Sequence, residues 1–497
     1  MMQLENKIIE RQRLADLSPE NRRSGPSGVL SDADRSGPVV ALIPRGEVIR
    51  NFVHTGAFDE VAAKTELALL TVSADAEIDK ELEARFGESY PLEEYEEKWF
   101  VRFHREILDM AHGRWLWSQA AQHRWRMREL EAVSGWQKAL RISKKLLCYP
   151  FANRAGLNVL GKSERFFSRL LKTTDEYLDL FRQIKPSMVF NGSHIHSRNA
   201  IQAVQAAQWL GIPTATFIFS WDNLTSQGRI MLPYDYFFVW NEALRDQLLE
   251  MYRWIKPDRV FVTGTPQFDF HFRPEFYRSR EEFCAEIGAD PARPIVLYST
   301  GMANHMPGEP EIVEEIADLL KEIGGEMAPQ LLVRVYPKDL TGRFDEMKNR
   351  RRDILFPEIG WEPAWLTPKF EDCSALVNTL RHSALGINVA STISLELCMF
   401  DKPVINVGYN PRSVDEDQLS YAEYYDFDHY APVVQSGAVE VARDRERMRE
   451  MIVGALERPE RLTKERKALI EKMFGDTLDG KSAQRFAEGL LKVSGVK

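Results

Sequence analysis

Short apolar runs alternate with helix-like segments along most of the chain. In the first half, strands are predicted at 39–44, 67–72, 187–191, 214–219, 236–240 and 260–262, with helical spacing at 48–58, 199–210 and 242–252. The second half repeats the alternation, with strands at 295–301, 330–338, 384–389 and 404–407, the first two including their exit loops, and helices at 312–323, 372–380 and 393–400. Such regular alternation is typical of parallel sheets covered by helices.

This pattern, over 497 residues, predicts two α/β domains rather than one core. We place an N-terminal domain at 38–270, a C-terminal domain at 290–476 and a terminal helix within 477–497. Residues 1–37 are polar and contain no apolar segment. They are therefore predicted to be a disordered tail, neither a signal peptide nor a strand.

Residues 80–180 differ from the rest in composition. They are predicted to be mostly helical, with breaks near Pro150 and Gly156, and are rich in Trp and Arg. Residues 101–147 contain ten Lys or Arg against four Asp or Glu, the opposite sign to the whole chain. Two interpretations stay open. A basic, aromatic helical insert suits an anionic membrane surface or a phosphorylated lipid. A helical bundle with a Trp core and a solvated Arg face is the simpler interpretation.

Residues 386–407, GINVASTISLELCMFDKPVINV, form the most informative stretch. A buried strand is followed by a small polar break at 390–392, a helix and a second strand. Unpaired N–H groups at the start of a helix favour an anion, so the pattern predicts a phosphate or diphosphate at Ser391, Thr392 and Ser394. Glu396 follows about one turn later, within reach of a sugar hydroxyl attached to that phosphate. These features are typical of a nucleotide site, although a Rossmann-like unit with an ordinary loop would share them.

Polar side chains also follow the strands of the first half. Ligands of parallel sheets bind beyond the carboxyl ends of the strands, so His194, His196, Asp222 and Asn223 are predicted to face one crevice. Asp222 and Asn223 follow Trp221 directly, which is an unusual composition for a simple turn. The two histidines could equally be hydrogen-bonded residues at a strand end. No metal site is expected there, because no third ligand cluster accompanies them.

Two loops of the second half could also approach phosphates. Thr300 and Gly301 follow the strand that begins at 295, and their N–H groups would be exposed at its end. Arg334 and Lys338 lie at the end of the next strand, where they could neutralise a diphosphate. Either could instead be a surface cation.

Composition narrows the class of protein. Charged residues make up 28% of the chain and apolar residues 44%, with a net charge of −9, which is typical of a soluble globular protein. No run of 18 or more apolar residues occurs, so no membrane span is expected. Cysteines at 148, 284, 373 and 398 form no CxxC pair, as in a reduced cytoplasmic protein without structural zinc. No nucleic-acid partner is expected.

Glu396, followed after three intervening residues by FDKPVI at 400–405, resembles the donor-binding signature of the GT-B glycosyltransferases, in which such a Glu contacts the nucleotide ribose. The large retaining families carry a second Glu eight positions earlier, where this chain has Asn388. The sequence is more similar to the branch of CDP-glycerol glycerophosphotransferases and related surface-polysaccharide transferases. That group usually has His before Pro337, where this chain has Tyr336, which leaves a glycerophosphate donor in question.

The resemblance implies an α/β fold of the GT-B type, with two Rossmann-like domains facing across a cleft, a helical insert in the first and a last helix that crosses back onto it. It implies inverting transfer, without a metal or other cofactor, from a nucleotide-diphosphate sugar (or polyol phosphate) to a glycan or lipid-linked acceptor. The donor would be bound by Thr300, Gly301, Arg334, Lys338, Ser391, Thr392, Ser394 and Glu396. The acceptor side would include Arg45, Gly46, His196 and Asn223, with Asp222 as first choice of base and His194 as second.

Two further function classes stay open. A nucleotide-sugar epimerase of the same fold would act without an acceptor, but the sequence offers no additional carboxylates near Arg45 for that chemistry. A non-catalytic binding subunit of a polysaccharide complex would not need Asp222 or Glu396. The expected location is cytoplasmic, at the inner face of the membrane if residues 101–147 contact lipid.

Overall fold

The computed structural model describes residues 37–72, 75–87, 89–92, 98–171, 174–195, 198–324, 328–415 and 419–495. The predicted tail therefore lies outside the described residues, except that Gly37 already belongs to the first strand.

The N-terminal domain is built on a seven-stranded, wholly parallel sheet in the order β3-β2-β1-β4-β5-β6-β7. Its strands are β1 Gly37–Ile43, β2 Leu67–Thr71, β3 Ser89–Pro91, β4 Pro186–Asn191, β5 Thr214–Phe217, β6 Tyr236–Val239 and β7 Val260–Val262. The central strands β2, β4 and β5 are buried along their whole length, because helices cover both faces of the sheet.

The C-terminal domain has a six-stranded parallel sheet in the order β10-β9-β8-β13-β14-β15 and a separate antiparallel hairpin, β11-β12. The strands are β8 Ile295–Ser299, β9 Gln330–Arg334, β10 Ile354–Leu355, β11 Trp361–Glu362, β12 Thr367–Pro368, β13 Leu385–Asn388, β14 Val404–Val407 and β15 Glu440–Ala442.

Helices fill the connections of both sheets. In the first half they are α1 Ala57–Ala62, α2 Ala76–Phe86, α3 Trp99–Leu116, α4 Gln119–Leu130, α5 Gly135–Cys148, α6 Arg154–Leu170, α7 Asp175–Ile184, α8 Ile201–Trp209, α9 Asn223–Ser226, α10 Glu242–Met251 and α11 Arg280–Ile287. In the second half they are α12 Glu309–Gly324, α13 Asp345–Arg350, α14 Phe370–His382, α15 Ile393–Met399, α16 Ala431–Gln435, α17 Arg445–Glu457, α18 Thr463–Phe474 and α19 Ser482–Ser494.

The predicted fold class is confirmed: two parallel sheets are surrounded by helices, with a helical insert in the first domain. The helix predicted at 48–58 is divided into a π-helical turn, Ile49–His54, and α1, because Gly56 takes a left-handed conformation at φ 81°. Of the two breaks predicted in the insert, the one near Pro150 is confirmed, at the turn Tyr149–Phe151, and the one near Gly156 is wrong. Gly156 is inside α6, where a Cβ atom would lie 2.6 Å from the Cα of Phe151.

The helical insert, α3 to α6, contacts both domains. Its helices enclose a small apolar core that includes Ile107, Leu108 and Leu157. Helix α4 then reaches the C-terminal domain, where the backbone N–H of Gln119 donates to the carboxylate of Asp428 at 2.8 Å. The insert therefore bridges the two domains.

The last helix, α19, packs against the N-terminal sheet although it follows the C-terminal domain. The carboxylate of Asp269 accepts hydrogen bonds from the N–H groups of Ser482 and Ala483 at its start. Phe486 is fully buried, with its ring centroid 4.7 Å from that of Phe52 and 4.9 Å from that of Phe190. This helix ties the end of the chain to the first domain.

Candidate active site

The turn between β13 and α15 is held by a buried polar network. The side-chain oxygen of Asn388 accepts hydrogen bonds from the N–H of Ser391 and the hydroxyl of Ser394, both at 3.1 Å. Asn406 and Tyr430 complete the network, with the Tyr430 hydroxyl 2.8 Å from Ser394 Oγ. Ser394, predicted to bind donor phosphate, is fully buried and orders this turn. Asn388, the last residue of β13, therefore fixes the geometry of the loop that follows it.

The hydroxyls of Ser391 and Thr392 remain half-buried at the surface of the turn. The N–H groups of residues 393 to 396 are paired within the turn and the helix, with oxygen atoms of Ser391 and Thr392 as acceptors. Helix α15 has seven residues. A phosphate at this turn would therefore contact side-chain hydroxyls more than free helix N–H groups.

Glu396 forms a pair that the sequence did not reveal. Its carboxylate lies 2.9 Å from Nε2 of His271, in the segment that links the two domains, and both side chains are nearly buried. The His271 ring packs between Phe268 and Phe400. The carboxylate is thereby fixed at the domain boundary, where we predicted a contact with a nucleotide ribose.

The loop after β5 brings Asp222 into a group of three ionisable side chains. His194, after β4, lies with Nδ1 3.2 Å from the carbonyl oxygen of Phe217. Burial lowers the pKa of His194 to about 4, while the Phe217 carbonyl and the charge of Asp222 oppose this effect. Burial also lowers the pKa of His429, from the C-terminal domain, and Asp222 again opposes it. Asp222 itself is half-buried and accepts a hydrogen bond from Ser226.

The two domains meet at this group. The indole N–H of Trp221 donates to the hydroxyl of Thr392 at 3.1 Å, joining the loop of Asp222 to the turn before α15. The His429 ring packs edge-on against Trp221, with centroids 5.4 Å apart. We call Trp221, Asp222, His194, His429 and Thr392 the interface cluster. It lies at the carboxyl ends of strands from both sheets, as ligand sites of α/β proteins do.

The loop after β8 is already occupied by a carboxylate of the protein. The N–H of Gly301 donates to both oxygens of Glu309 at 2.9 and 3.0 Å, and Arg343 donates to the same group at 2.8 Å. Glu309 is fully buried, and this burial raises its pKa to about 7 against the effect of Arg343. The hydroxyl of Thr300 accepts from the N–H of Tyr336 at 2.8 Å. The groups predicted to approach donor phosphates here are thus bonded within the domain.

Both cations predicted to neutralise a diphosphate are in ion pairs. Arg334 is buried and donates to both oxygens of Asp372 at 2.8 and 3.0 Å. Lys338 reaches across the domain boundary, with Nζ 2.6 Å from the carboxylate of Glu47. The other oxygen of Glu47 lies 3.1 Å from Nε of Arg45. A carboxylate therefore does stand beside Arg45, contrary to the expectation from sequence.

The hairpin β11-β12 closes onto the N-terminal domain beside Arg45. Gly46 donates its N–H to the carbonyl of Trp365 at 2.9 Å, and a Cβ atom at position 46 would lie 2.4 Å from the Cα of Thr367. Only glycine permits this approach. Beside it is a pocket of about 360 Å³, lined by Pro44, Arg45, Ile195, Arg198, Asn199, Ala364, Trp365 and Leu366.

The remaining predicted residues are less informative. His196 lies outside the described residues. Asn223 is buried, and its side-chain oxygen accepts from the N–H of Ser220 at 2.8 Å, so it shapes the loop of Asp222. Within the described part of the chain, no group of three or more His, Cys, Asp or Glu side chains could hold a metal ion, and no helix is long and apolar enough to cross a bilayer.

No family model matches the chain, and no curated protein matches it. Several solved structures share its shape. A UDP-GlcNAc 2-epimerase from Neisseria meningitidis bound to UDP-GlcNAc has a TM-score of 0.52 at 14% identity, over 91% of this chain and 99% of that one. An S. aureus MnaA–UDP co-structure has a TM-score of 0.52 at 13% identity, over 93% and 98%. A further UDP-N-acetylglucosamine 2-epimerase has a TM-score of 0.51 at 13% identity, over 93% and 97%.

The fold is of the GT-B type. At these identities the likeness shows the fold alone, and the chemistry must be argued from the residues of this chain.

Sequence reasoning missed His271, His429 and Glu309. His271 lies in the 3₁₀ helix Pro266–Phe272 and His429 in the loop before α16, and nothing in the sequence shows that they approach Glu396 and Asp222. Glu309 begins α12, where an acidic residue is ordinary. Its burial depends on Arg343, which is 34 residues away.

Proposed function

We propose that the protein is an enzyme that binds a nucleotide-diphosphate sugar between its domains and transfers the sugar, or a polyol phosphate, to a hydroxyl of a glycan or lipid-linked acceptor. The hydrogen bond from Trp221 to Thr392 carries the proposal. It joins the loop of Asp222, the proposed base, to the turn where the donor phosphates are proposed to bind. A donor at that turn would have a carboxylate of the opposite domain beside it.

The donor would replace contacts that are individually weak. A hydrogen bond between neutral groups, such as that of Trp221 and Thr392, contributes only about 1 kcal/mol net. The hydroxyls of Ser391 and Thr392 would then contact the phosphates, and the carboxylate of Glu396 would accept from the ribose. This assignment uses the two half-buried hydroxyls of the turn together with the buried carboxylate of Glu396.

Charge on the leaving diphosphate must be stabilised, since its development is the main barrier. His194 and His429 are neutral at pH 7 because burial lowers both pKa values. A nearby diphosphate would raise these pKa values, because an opposite charge favours the protonated imidazole. Lys338 could also turn from Glu47 to a phosphate, since Glu47 would keep Arg45 as its partner.

A nucleotide-sugar epimerase is the second candidate. The carboxylate of Glu47, which is paired with Arg45 of the pocket lining, favours it, because an epimerase needs acid and base groups from the protein on the sugar itself. The solved structures of similar shape include complexes with UDP-GlcNAc and UDP. Both candidates share a nucleotide-diphosphate sugar as substrate.

One experiment separates the candidates. The full chain is first screened for thermal stabilisation by UDP, CDP, GDP and ADP, because a ligand of the folded state raises the melting temperature. Sugars of the stabilising nucleotide are then incubated with the protein, with and without glycan and lipid-linked acceptors and with and without EDTA. Nucleotide release that depends on an acceptor supports transfer. A change at the sugar without an acceptor supports epimerisation, and stabilisation by no nucleotide contradicts both.

Glu396→Ala should weaken binding of the stabilising nucleotide by about tenfold or more, since a hydrogen bond to a charged group contributes about 1.5–3 kcal/mol. Isothermal titration measures the change. Glu396→Gln is the matched variant: it keeps an oxygen near His271, so it should keep the melting temperature while binding nucleotide with intermediate affinity. If both variants bind nucleotide like the parent chain, Glu396 serves only to hold His271.

A further inference from the structure

Helix α5, Gly135–Cys148, is amphipathic, and its apolar side faces solvent. Trp136 is 76% exposed and Leu146 68% exposed, and Leu140, Ile142 and Leu147 are exposed with them. At 3.6 residues per turn these five side chains lie within about 160° of the helix circumference. We call them the outer face of α5. Exposed apolar surface of this extent, contiguous on one helix, marks an interaction site.

The polar side of α5 is the side that packs on the protein. Lys144 lies with Nζ 2.6 Å from the carboxylate of Glu106 on α3, and Lys145 pairs with Glu129 on α4. Arg141 stacks over the Trp125 ring, 5.2 Å from its centroid. These contacts fix the rotation of the helix about its axis. The exposure of its outer face is therefore built into the fold.

Helix α6 also has an exposed apolar face. Val159, Phe166 and Leu170 are exposed and share one face of α6, at a spacing of seven and four residues. Lys162 is exposed on the same face. Residues 133–171 contain eight Lys or Arg and a single carboxylate, Glu164, which is buried and paired with Arg105 at 2.7 Å. The surface is thus apolar and cationic at once, in a chain whose net charge is −9.

We propose that the outer face of α5, with the exposed face of α6, binds an anionic lipid bilayer surface. Amphipathic helices with Trp and Leu on one side and cations around them lie in the bilayer interface, and anionic headgroups attract the cations. A second copy of the chain fits less well, because it would bring the exposed cations Lys138, Lys162 and Arg169 of both copies together. Residues 1–36 carry six Lys or Arg and six Asp or Glu, so they offer no complementary charge.

Docking would orient the cleft relative to the bilayer. The insert is bonded to helix α9, which follows Asp222: Ser118 donates to the carbonyl of Thr225 at 2.7 Å, and Arg124 donates to that of Ser226 at 3.0 Å. The membrane-binding surface and the interface cluster are therefore parts of one rigid unit. Membrane binding itself does not depend on the proposed enzymatic function.

The test is co-sedimentation of the full chain with vesicles of phosphatidylcholine alone, or of phosphatidylcholine with 30% phosphatidylglycerol. Each vesicle type is tested at about 0.1 M and at about 0.5 M NaCl. We expect binding to the anionic vesicles that is weaker at high salt. The double variant Trp136→Ser, Leu147→Ser should reduce it at least tenfold, and Lys138→Glu, Lys162→Glu should reduce it on anionic vesicles. All four side chains are exposed, so the variants should fold, as the melting temperature will verify.

Leu340→Ser is the matched control, since Leu340 is 67% exposed on the other domain and should not affect sedimentation. The proposal is overturned if the full chain does not bind anionic vesicles. It is also overturned if the Trp136→Ser, Leu147→Ser double variant binds them as well as the parent chain does. A dimer in size-exclusion chromatography that this double variant abolishes, without vesicle binding, would assign the face to self-association instead. Sedimentation is measured without donor, so its failure leaves the proposed enzymatic function untouched.

Discussion

Asp222→Asn should reduce turnover of the donor by about 10²- to 10⁴-fold, the range that a positioned general base contributes. Asp222 is half-buried in the loop that is joined to Thr392, and its charge acts on the imidazoles of His194 and His429. The substitution removes the basicity of this carboxylate while keeping its size. Binding of the nucleotide should change by no more than about threefold, because Asp222 is assigned to the acceptor hydroxyl and not to the phosphates. Steady-state rates and titration calorimetry on the same preparation measure the two quantities.

Asp258→Asn is the control for this prediction. Asp258 is an exposed carboxylate of the same domain, in the turn before β7, and its loss should leave turnover unchanged. A turnover by Asp222→Asn of more than half the parent rate would remove Asp222 from the mechanism, and His194 would be tested next. If Asp222→Asn lowers the melting temperature together with the turnover, Asp222 is instead needed for the folding of its loop, through its hydrogen bond with Ser226.

The fold was predictable because its strands are buried on both faces. Runs such as 67–71 and 214–217 are continuously apolar or β-branched, and a parallel sheet is the arrangement that buries such runs. The strands that the sequence analysis missed, β3, β10, β15 and the hairpin β11-β12, have two or three residues each. Periodicity has no meaning over that length, and the hairpin is stabilised by contacts with Gly46 and His54 of the other domain.

The sequence predicted which loops converge, but not how their charges pair. Asp222 and His194 approach one another because both follow parallel strands, which end at the same edge of the sheet. The partners of Arg334 and Lys338 are Asp372 and Glu47, at separations of 38 and 291 residues along the chain. Such pairs depend on tertiary structure, so a cation that looks free in the sequence can be neutralised in the fold.

The orientation of α5 was also beyond the sequence. Its apolar and basic positions predict an amphipathic helix equally well with either side inward, and the usual choice buries Trp136 and exposes Lys144. The fold has the reverse, because Glu106 and Glu129 on neighbouring helices pair with the lysines. The bundle interpretation is therefore right for the small core of the insert but wrong for α5, whose apolar side is not part of that core. The membrane interpretation stays a proposal.

Phe486→Ala should destabilise the N-terminal domain by about 3–5 kcal/mol, the usual cost of removing a buried aromatic side chain. The Phe486 ring is fully buried against Phe52, Phe190 and Phe238, with centroids 4.7 to 5.0 Å apart. A cavity left there would lie between α19 and the sheet. The hydrogen bonds from the start of α19 to the carboxylate of Asp269 would keep the helix from shifting to fill it. Thermal and urea denaturation measure the loss.

Gln484→Ala supplies the comparison, because Gln484 is exposed on the same helix and its replacement should change stability by about 0.5 kcal/mol or less. If the Phe486 and Gln484 variants melt together, α19 is not part of the cooperative core of the first domain. If only Phe486→Ala is destabilised, the chain end that follows the C-terminal domain stabilises the N-terminal domain through the buried face of α19.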